Sequence, residues 1–271
     1  MPAPNSITSK QLLRLIGTPQ APVLIDICMD ADFEADPYLI PGSIRHSATD
    51  PKGLVTLIGD RPAVVICQKG KKLSQAVVSW LRGEGVQAEF LEGGMFAWRD
   101  MSDAPRVPAA ALSMLQPEGS LWVTRHRPKI DRIACPWLIR RFVDPNARFL
   151  FVAPKEVEAA GEIFGATPFD IENTYWSHRQ DRCTFDTMLD EFGLRTPALD
   201  RLATVVRAAD TNSHDLAPEA AGLLAVSVGL SRQYRDDHEN LAAGLHLYDA
   251  LYRWARDGFE EQHDWPTDRK S

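Results

Sequence analysis

The hydrophobic pattern changes character near the middle of the chain. Up to about residue 100, short runs of aliphatic and β-branched residues alternate with stretches of helical periodicity. Val23-Leu-Ile-Asp26 and Ala63-Val-Val-Ile-Cys67 are apolar at nearly every position, which predicts strands covered on both faces, as in a parallel sheet. Residues 73–82 carry apolar side chains three and four apart and stop at Gly83-Glu-Gly85, the pattern of a helix with a glycine stop. Val86-Gln-Ala-Glu-Phe-Leu91 predicts another strand, and Gly93-Gly94 a turn. The order of these elements predicts an α/β domain.

From residue 101 to 119 the chain is rich in Pro, Ala and Ser, which predicts a linker enclosing a short helix. Beyond it, residues 120–124 and 147–152 read as strands flanking a helical segment over 133–142. Helical spacing then dominates over 197–209, 218–228 and 233–256, with Pro at plausible first turns of the earlier two. The expected organisation is therefore a parallel-sheet α/β domain over 1–105, a linker over 106–119, a mainly helical α+β domain over 120–258 and a polar tail over 259–271.

Composition narrows the function classes. The 271 residues are 44% hydrophobic and 25% charged, values of a globular chain that exclude disorder as its main state. With 30 Lys plus Arg against 37 Asp plus Glu, the formal net charge is -7. General nucleic-acid binding is not expected at that balance, because phosphate contacts need clustered cations. The four cysteines are widely spaced and too few for a disulfide scaffold, so each is read as a reduced thiol and a cytoplasmic location is expected. The first ten residues lack a basic stretch leading into an apolar run, and no apolar run approaches the roughly 18 residues of a spanning helix, so neither a leader nor a membrane partner is expected.

Cys67 closes an apolar strand and leads through Gln68, Lys69, Gly70, Lys71 and Lys72 to Leu73 and a helix. A loop bent back at such a junction aims successive amides inward, and the helix dipole adds positive potential. Those surroundings favour a thiolate nucleophile, or hold a persulfide or sulfur oxyanion. Taken alone, Cys67 also fits a small buried hydrophobe at a strand end. Cys28 ends the neighbouring run; it reads as a resolving thiol for Cys67 or, with more weight, as a packed strand-end residue.

The motifs around Cys67 carry a resemblance. Cys67-Gln-Lys-Gly70-Lys-Lys72-Leu-Ser-Gln-Ala76, Ile40-Pro-Gly42-Ser43 and Leu91-Glu-Gly-Gly94-Met-Phe-Ala-Trp98 resemble the active loop, the Ile-Pro-Gly turn and the closing signature of single-domain rhodaneses, over roughly residues 5–105. The resemblance implies a sulfurtransferase that carries sulfane sulfur on Cys67 without a cofactor, moving it between a donor and an acceptor that are small molecules or protein thiols. Asp26 stands where the family has the Asp of Asp-x-Arg, with Cys28 in place of the Arg; Leu39 replaces the His before Ile-Pro-Gly; and Lys72 replaces the loop Arg. Lysine keeps that charge but loses the bidentate fork, which disfavours thiosulfate more than persulfide donors.

In the second domain, Arg125, His126, Asp131, Arg132 and Cys135 crowd a strand–loop–helix junction, a candidate ligand site in which arginines clamp an oxyanion. Arg140 and Arg141 follow, but adjacent helix positions diverge by about 100° and do not readily face one ligand. His178, Cys183, Asp210 and His238 are metal-capable, and mixed imidazole and carboxylate donors would suit a transition metal. None has the spacing of a zinc finger or of His-Glu-x-x-His, and helix caps and surface charge account for them equally. Asp131-Arg-Ile-Ala-Cys-Pro-Trp-Leu-Ile-Arg-Arg-Phe142, Cys183-Thr-Phe-Asp186, Val206-Arg-Ala-Ala-Asp210-Thr, Leu216-Ala-Pro-Glu-Ala-Ala-Gly222-Leu and Tyr248-Asp-Ala-Leu-Tyr252 resemble the C-terminal domain of ChrB-type chromate resistance proteins, over roughly 120–257. That resemblance implies a role in chromate tolerance or its regulation, with chromate or another oxyanion as a ligand. The family's regulators carry a winged helix where this chain has its rhodanese-like part, so direct DNA binding is not expected. The leading expectation is a sulfurtransferase fused to a domain that binds or processes an oxyanion or metal. The alternatives are a non-enzymatic redox or chromate sensor, and a metal-dependent enzyme centred on the second domain.

Overall fold

A computed structural model describes residues 5–112 and 120–261. The first domain runs β1 (Ser6–Ile7), α1 (Ser9–Leu15), β2 (Val23–Asp26), α2 (Asp30–Ala35), β3 (Tyr38–Leu39), β4 (Ser43–Arg45), α3 (Pro51–Ile58), β5 (Ala63–Ile66), α4 (Lys72–Gly83), β6 (Ala88–Leu91), α5 (Gly94–Arg99) and β7 (Val107–Pro108). The second runs β8 (Leu121–Arg125), α6 (Asp131–Leu138), β9 (Arg148–Val152), α7 (Val157–Phe164), β10 (Thr167–Pro168), α8 (Thr184–Glu191), α9 (Pro197–Asp210), α10 (Glu219–Gln233) and α11 (Asp237–Arg253). An α/β parallel-sheet domain is thus followed by a mostly helical one. Among the described residues, no helix is long and apolar enough to cross a membrane.

The first sheet has the order β1-β6-β5-β2-β4, with every pairing parallel. Its strands are apolar on both faces because both are covered. Leu24, Val64 and Ile66 pack on one side with Leu12, Met95 and Trp98; Val23, Ile25, Val65 and Cys67 pack on the other with Leu54, Ile58, Val77 and Leu81. Local signals start the helices: Thr8 and Gln11 form a capping box on α1, and Asp50 caps α3 ahead of Pro51. The 106–119 segment opens with β7, which pairs antiparallel with β3, and a short helix over Ala109–Leu112; residues 113–119 and the tail beyond 261 lie outside the described residues.

In the second domain, β8 is the centre of a parallel sheet ordered β10-β8-β9. Val157 and Ala160 of α7 cover one face with Val123. The other face meets the helical body through Trp122, which packs edge-on against Phe169 and Trp176. Trp137 of α6 is ringed by Phe142, Phe185, Tyr248 and Tyr252, so one indole joins α6, α8 and α11. The α6 axis continues through a wider turn over Ile139–Val143, downstream of Pro136, which has no amide to give the ladder.

The core on the α1 and α5 side of the first sheet is continuous with that of the second domain. Gly17 sits against the Phe142 ring, where an added Cβ would overlap the ring atoms, and Arg256 donates to the Arg14 carbonyl at 3.0 Å. Because Gly17 also has φ +76°, Gly17→Ala should lower the urea unfolding free energy by about 2–4 kcal/mol, combining left-handed strain with overpacking. Gly59→Ala, at φ +60° with no atom within 4 Å, should cost only the backbone part, about 1–2 kcal/mol. Equal losses in the two variants would remove the domain contact from the account.

Candidate functional sites

At the carboxyl edge of the first sheet, Cys67 leaves β5 with its side chain 6% exposed. Its thiol donates to Ser74 Oγ at 3.2 Å, and Ser74 donates in turn to the Lys71 carbonyl. Gly70, at φ +60°, lies so close to Leu91, Gly93 and Gly94 that a side chain there would strike backbone; Gly94 presses equally on the Cys67 carbonyl. Met95 and Phe96 amides donate to the carbonyls of Cys67 and Gln68 and pin the loop to α5. No side chain caps α4, and among the described residues the amides from Gln68 through Ser74 have no hydrogen-bond acceptor. Lys69, Lys71, Lys72 and Leu73 are exposed around them.

Two clefts flank this loop. One of about 490 Å³ is lined by Ile27, Cys28, Arg45, His46, Thr49 and Leu73, and one of about 220 Å³ by Asp26, Cys28, Phe33, Gln68, Met95 and Phe96. Asp26 accepts from the Cys28 amide at 2.9 Å. The arginine missing two residues after it is supplied by β4, whose Arg45 is in register with Asp26 and lies 3.3 Å from its carboxylate. Burial nonetheless pushes the Asp26 carboxyl above its ordinary value, since the second oxygen has no partner. Burial, then Asp26, also raises the Cys28 thiol. Cys28 packs with the α1 and α5 cluster and Cys67 with the α3 and α4 cluster, so the two thiols project from opposite faces.

The second constellation lies where β8, α6, α8 and α9 converge. Asp131, fully buried at the start of α6, accepts from the Thr184 and Phe185 amides at 2.6 and 3.3 Å and so caps α8 from another element. The turn before it is strained, with Arg127 at φ +54° and the β-branched Ile130 at +46°. That turn is held by α11: Asp237 accepts from the Arg127 amide, Asn240 donates to Pro128 and Tyr248 to Ile130. Asp170, itself at φ +53°, follows β10 and reaches Arg125, Arg132 and Thr184 at 3.2, 3.3 and 2.9 Å. Between these carboxylates sits His178, whose Nε2 is 3.5 Å from Asp131, 3.4 Å from Asp170 and 3.2 Å from Asp210.

The ligand atoms of Asp131, Asp170 and His178 all lie within 4.8 Å of one another, a set that could hold a metal ion. Burial drives the Asp131 carboxyl up to about 7. Hydrogen bonds to Asp131, Asp170 and Asp210 hold the imidazole protonated far above its ordinary range. Asp170 ends below its ordinary value: burial opposes that, but His178, Thr184, Arg132 and Arg125 outweigh it. Asp170 was invisible to spacing arguments and is delivered by the β10–β8 pairing.

The expected junction site therefore forms in part. Arg125, Asp131 and Arg132 meet Asp170, whereas His126 contributes its backbone carbonyl to Arg132. Cys135 is wholly buried within the core, and burial raises its thiol and that of Cys183. Cys183 precedes α8 and contacts Asp186 at 3.5 Å. Of the metal candidates, His178 and Asp210 come together; His238 does not, because it lies in the first turn of α11 with its ring against Phe151. Asp236 caps that helix.

Residues 8–101 match the family described as rhodanese-like domain, and residues 122–255 match ChrB, C-terminal domain. The chain is a rhodanese-like domain fused to a ChrB-type C-terminal domain. Protein ChrB of Cupriavidus metallidurans is 35% identical over 138 residues, 51% of this chain, which itself spans 41% of that relative's length. The rhodanese-like part is similar to a rhodanese-related protein of Thermoplasma volcanium, with 25% identity, TM-score 0.33, and 38% of this chain and 98% of that one covered. A rhodanese-like domain protein of Staphylococcus aureus gives 26% identity and TM-score 0.32, covering 36% and 95% of the two chains.

Asp26 in the rhodanese-like domain generates a pH prediction. Its carboxyl is raised on folding, so its burial favours the native state at acid pH, and that contribution is lost as pH rises through the folded value. Asp26→Asn removes the titration. The stability of the variant relative to wild type, measured by urea unfolding, should increase from about pH 4 toward neutrality. A difference that is flat or falls with pH would contradict a raised Asp26.

Proposed function

We propose that the rhodanese-like domain is a sulfurtransferase that carries sulfane sulfur as a persulfide on Cys67. The observation that carries this reading is the run of amides from Gln68 through Ser74 without acceptors, beside a thiol at a strand–helix junction. Such a ring of donors suits the outer, negatively charged sulfur of a persulfide, and Lys69, Lys71 and Lys72 add long-range attraction for an anionic donor. With thiosulfate, the Cys67 thiolate attacks the outer sulfur, the S–S bond to sulfite breaks, and sulfite leaves with the electron pair. An acceptor thiolate then attacks the outer persulfide sulfur, forming its own persulfide and returning Cys67 as thiolate. The cleft of about 490 Å³ beside Leu73 offers an approach for that acceptor.

Intact-mass measurement after polysulfide treatment should show one added sulfur on the full chain, absent from Cys67→Ser, whose circular dichroism is unchanged. Labelling that persists in the folded variant would overturn the assignment.

A second reading concerns the ChrB-type domain and rests on the convergence of His178 Nε2 with three carboxylates. Asp131, Asp170 and His178, with Asp210 approaching from α9, form an oxygen-rich set with one imidazole, which suits Mn²⁺ or Fe²⁺ better than a thiolate-seeking ion. Metal-stripped protein titrated with Mn²⁺ in a calorimeter should bind about one ion per chain, and His178→Ala or Asp210→Asn should weaken binding at least about tenfold. No saturable heat with Mn²⁺, Fe²⁺ or Zn²⁺ would leave the cluster as an ion-pair network.

A further inference from the structure

Arg140 and Arg141 lie side by side on the widened turn after α6, yet their surroundings differ. Arg141 makes a bidentate pair with Asp249, both bonds 2.8 Å, and is neutralised. Arg140 is half-buried, donates its Nε to the Ala147 carbonyl at 3.0 Å and lies over the Phe149 ring at 5.1 Å. Among the described residues no carboxylate pairs with it. The acid beside it in sequence, Asp144, spends its oxygens on Ser120 and Asn146. Burial, and then Arg141, push the Arg140 guanidinium below its ordinary value, and the attraction of Asp144 only partly offsets them.

Arg140 lines a cleft of about 170 Å³ between the domains. The facing wall belongs to the rhodanese-like domain and includes Thr18, Gly42 and Arg61. Arg61, in the approach to β5, likewise has no ion-pair partner among the described residues. Two guanidinium groups without an ion-pair partner among the described residues, one from each domain, therefore line one small cleft whose other walls are mostly Pro and aliphatic residues, in a protein whose formal net charge is -7. The cleft touches Val23, the first residue of β2, and Arg61 ahead of β5, both at the amino edge of the parallel sheet, whereas Cys67 leaves its carboxyl edge. Four strand residues put about 13 Å between those edges, so a ligand here is not in reach of the thiol.

We propose that this interdomain cleft binds a tetrahedral inorganic dianion of sulfate or phosphate size between Arg61 and Arg140. The planar forks of two arginines match the oxygen edges of such an anion, and the Phe149 face fixes one fork in advance. Bound there, the anion joins the domains by charge rather than by apolar contact. The site regulates or stabilises the domain pairing and takes no part in sulfur transfer, so the inference stands independently of the Cys67 persulfide.

The test uses the full chain carrying Cys67→Ser, which removes sulfur chemistry from the signal. Calorimetric titrations with sulfate and, separately, inorganic phosphate at low ionic strength should show saturable binding near one per chain, with a Kd on the order of a millimolar or tighter. Arg140→Gln and Arg61→Gln should each weaken it at least about tenfold. Arg61 is exposed, so its variant keeps the test valid if Arg140→Gln fails to fold. Sulfate should also raise the Tm of the parent and not of the Arg61→Gln variant, with chloride at equal ionic strength as the reference. Absence of saturable binding, binding unchanged by Arg61→Gln, or a thermal shift matched by chloride overturns the proposal.

Discussion

The carboxylate of Asp131 organises the second domain. It is fully buried at the start of α6, and its oxygens take the first free amides of α8, so one negative charge serves the positive ends of two helices. An uncompensated charge at that depth would be costly, and the surrounding groups answer it in layers. Backbone amides come first, then His178, and behind them Arg132, bound to Asp170. The strained turn that delivers Asp131 is clamped by α11, a helix more than a hundred residues away in sequence. The helical half of the domain thus holds one backbone segment in a conformation it would not keep alone.

The rhodanese-like domain solves a related problem with glycine instead of charge. Gly70, Gly93 and Gly94 let two backbone turns approach until side chains no longer fit, and among the described residues the loop amides beside them have no acceptor. A continuous apolar core then joins this domain to its neighbour, so the 106–119 segment is only one of several ties between them.

Much of this was legible in the sequence because it is local. Residues 23–25 and 63–66 are apolar on both faces, and Cys67 to Leu73 carries its loop chemistry in consecutive residues. The parts that were not legible depend on register and tertiary approach. Arg45 compensates for the missing arginine after Asp26 only because β4 pairs with β2 in a particular alignment. Asp170 sits in Pro168-Phe-Asp-Ile171 with no periodic signal, and a two-residue strand such as β10 or β7 is too short to show one. His238 and His178 look alike as residue types; the first caps no site because its helix turns it onto Phe151, while the second follows a loop that folds back over Asp131.

The sheet alternation that separates Cys28 from Cys67 bears on the proposed sulfur transfer. With Asp26 level with Ile66, Cys28 is level with Gln68, and its thiol and that of Cys67 leave their strands on opposite sides. A bond between them would require one strand end to roll half a turn about its own axis, breaking the Ile27–Ile66 backbone bond that closes the sheet edge. Cys28 is therefore not turned toward Cys67. If Cys67 carries sulfur as proposed, its acceptor is then a thiol other than Cys28.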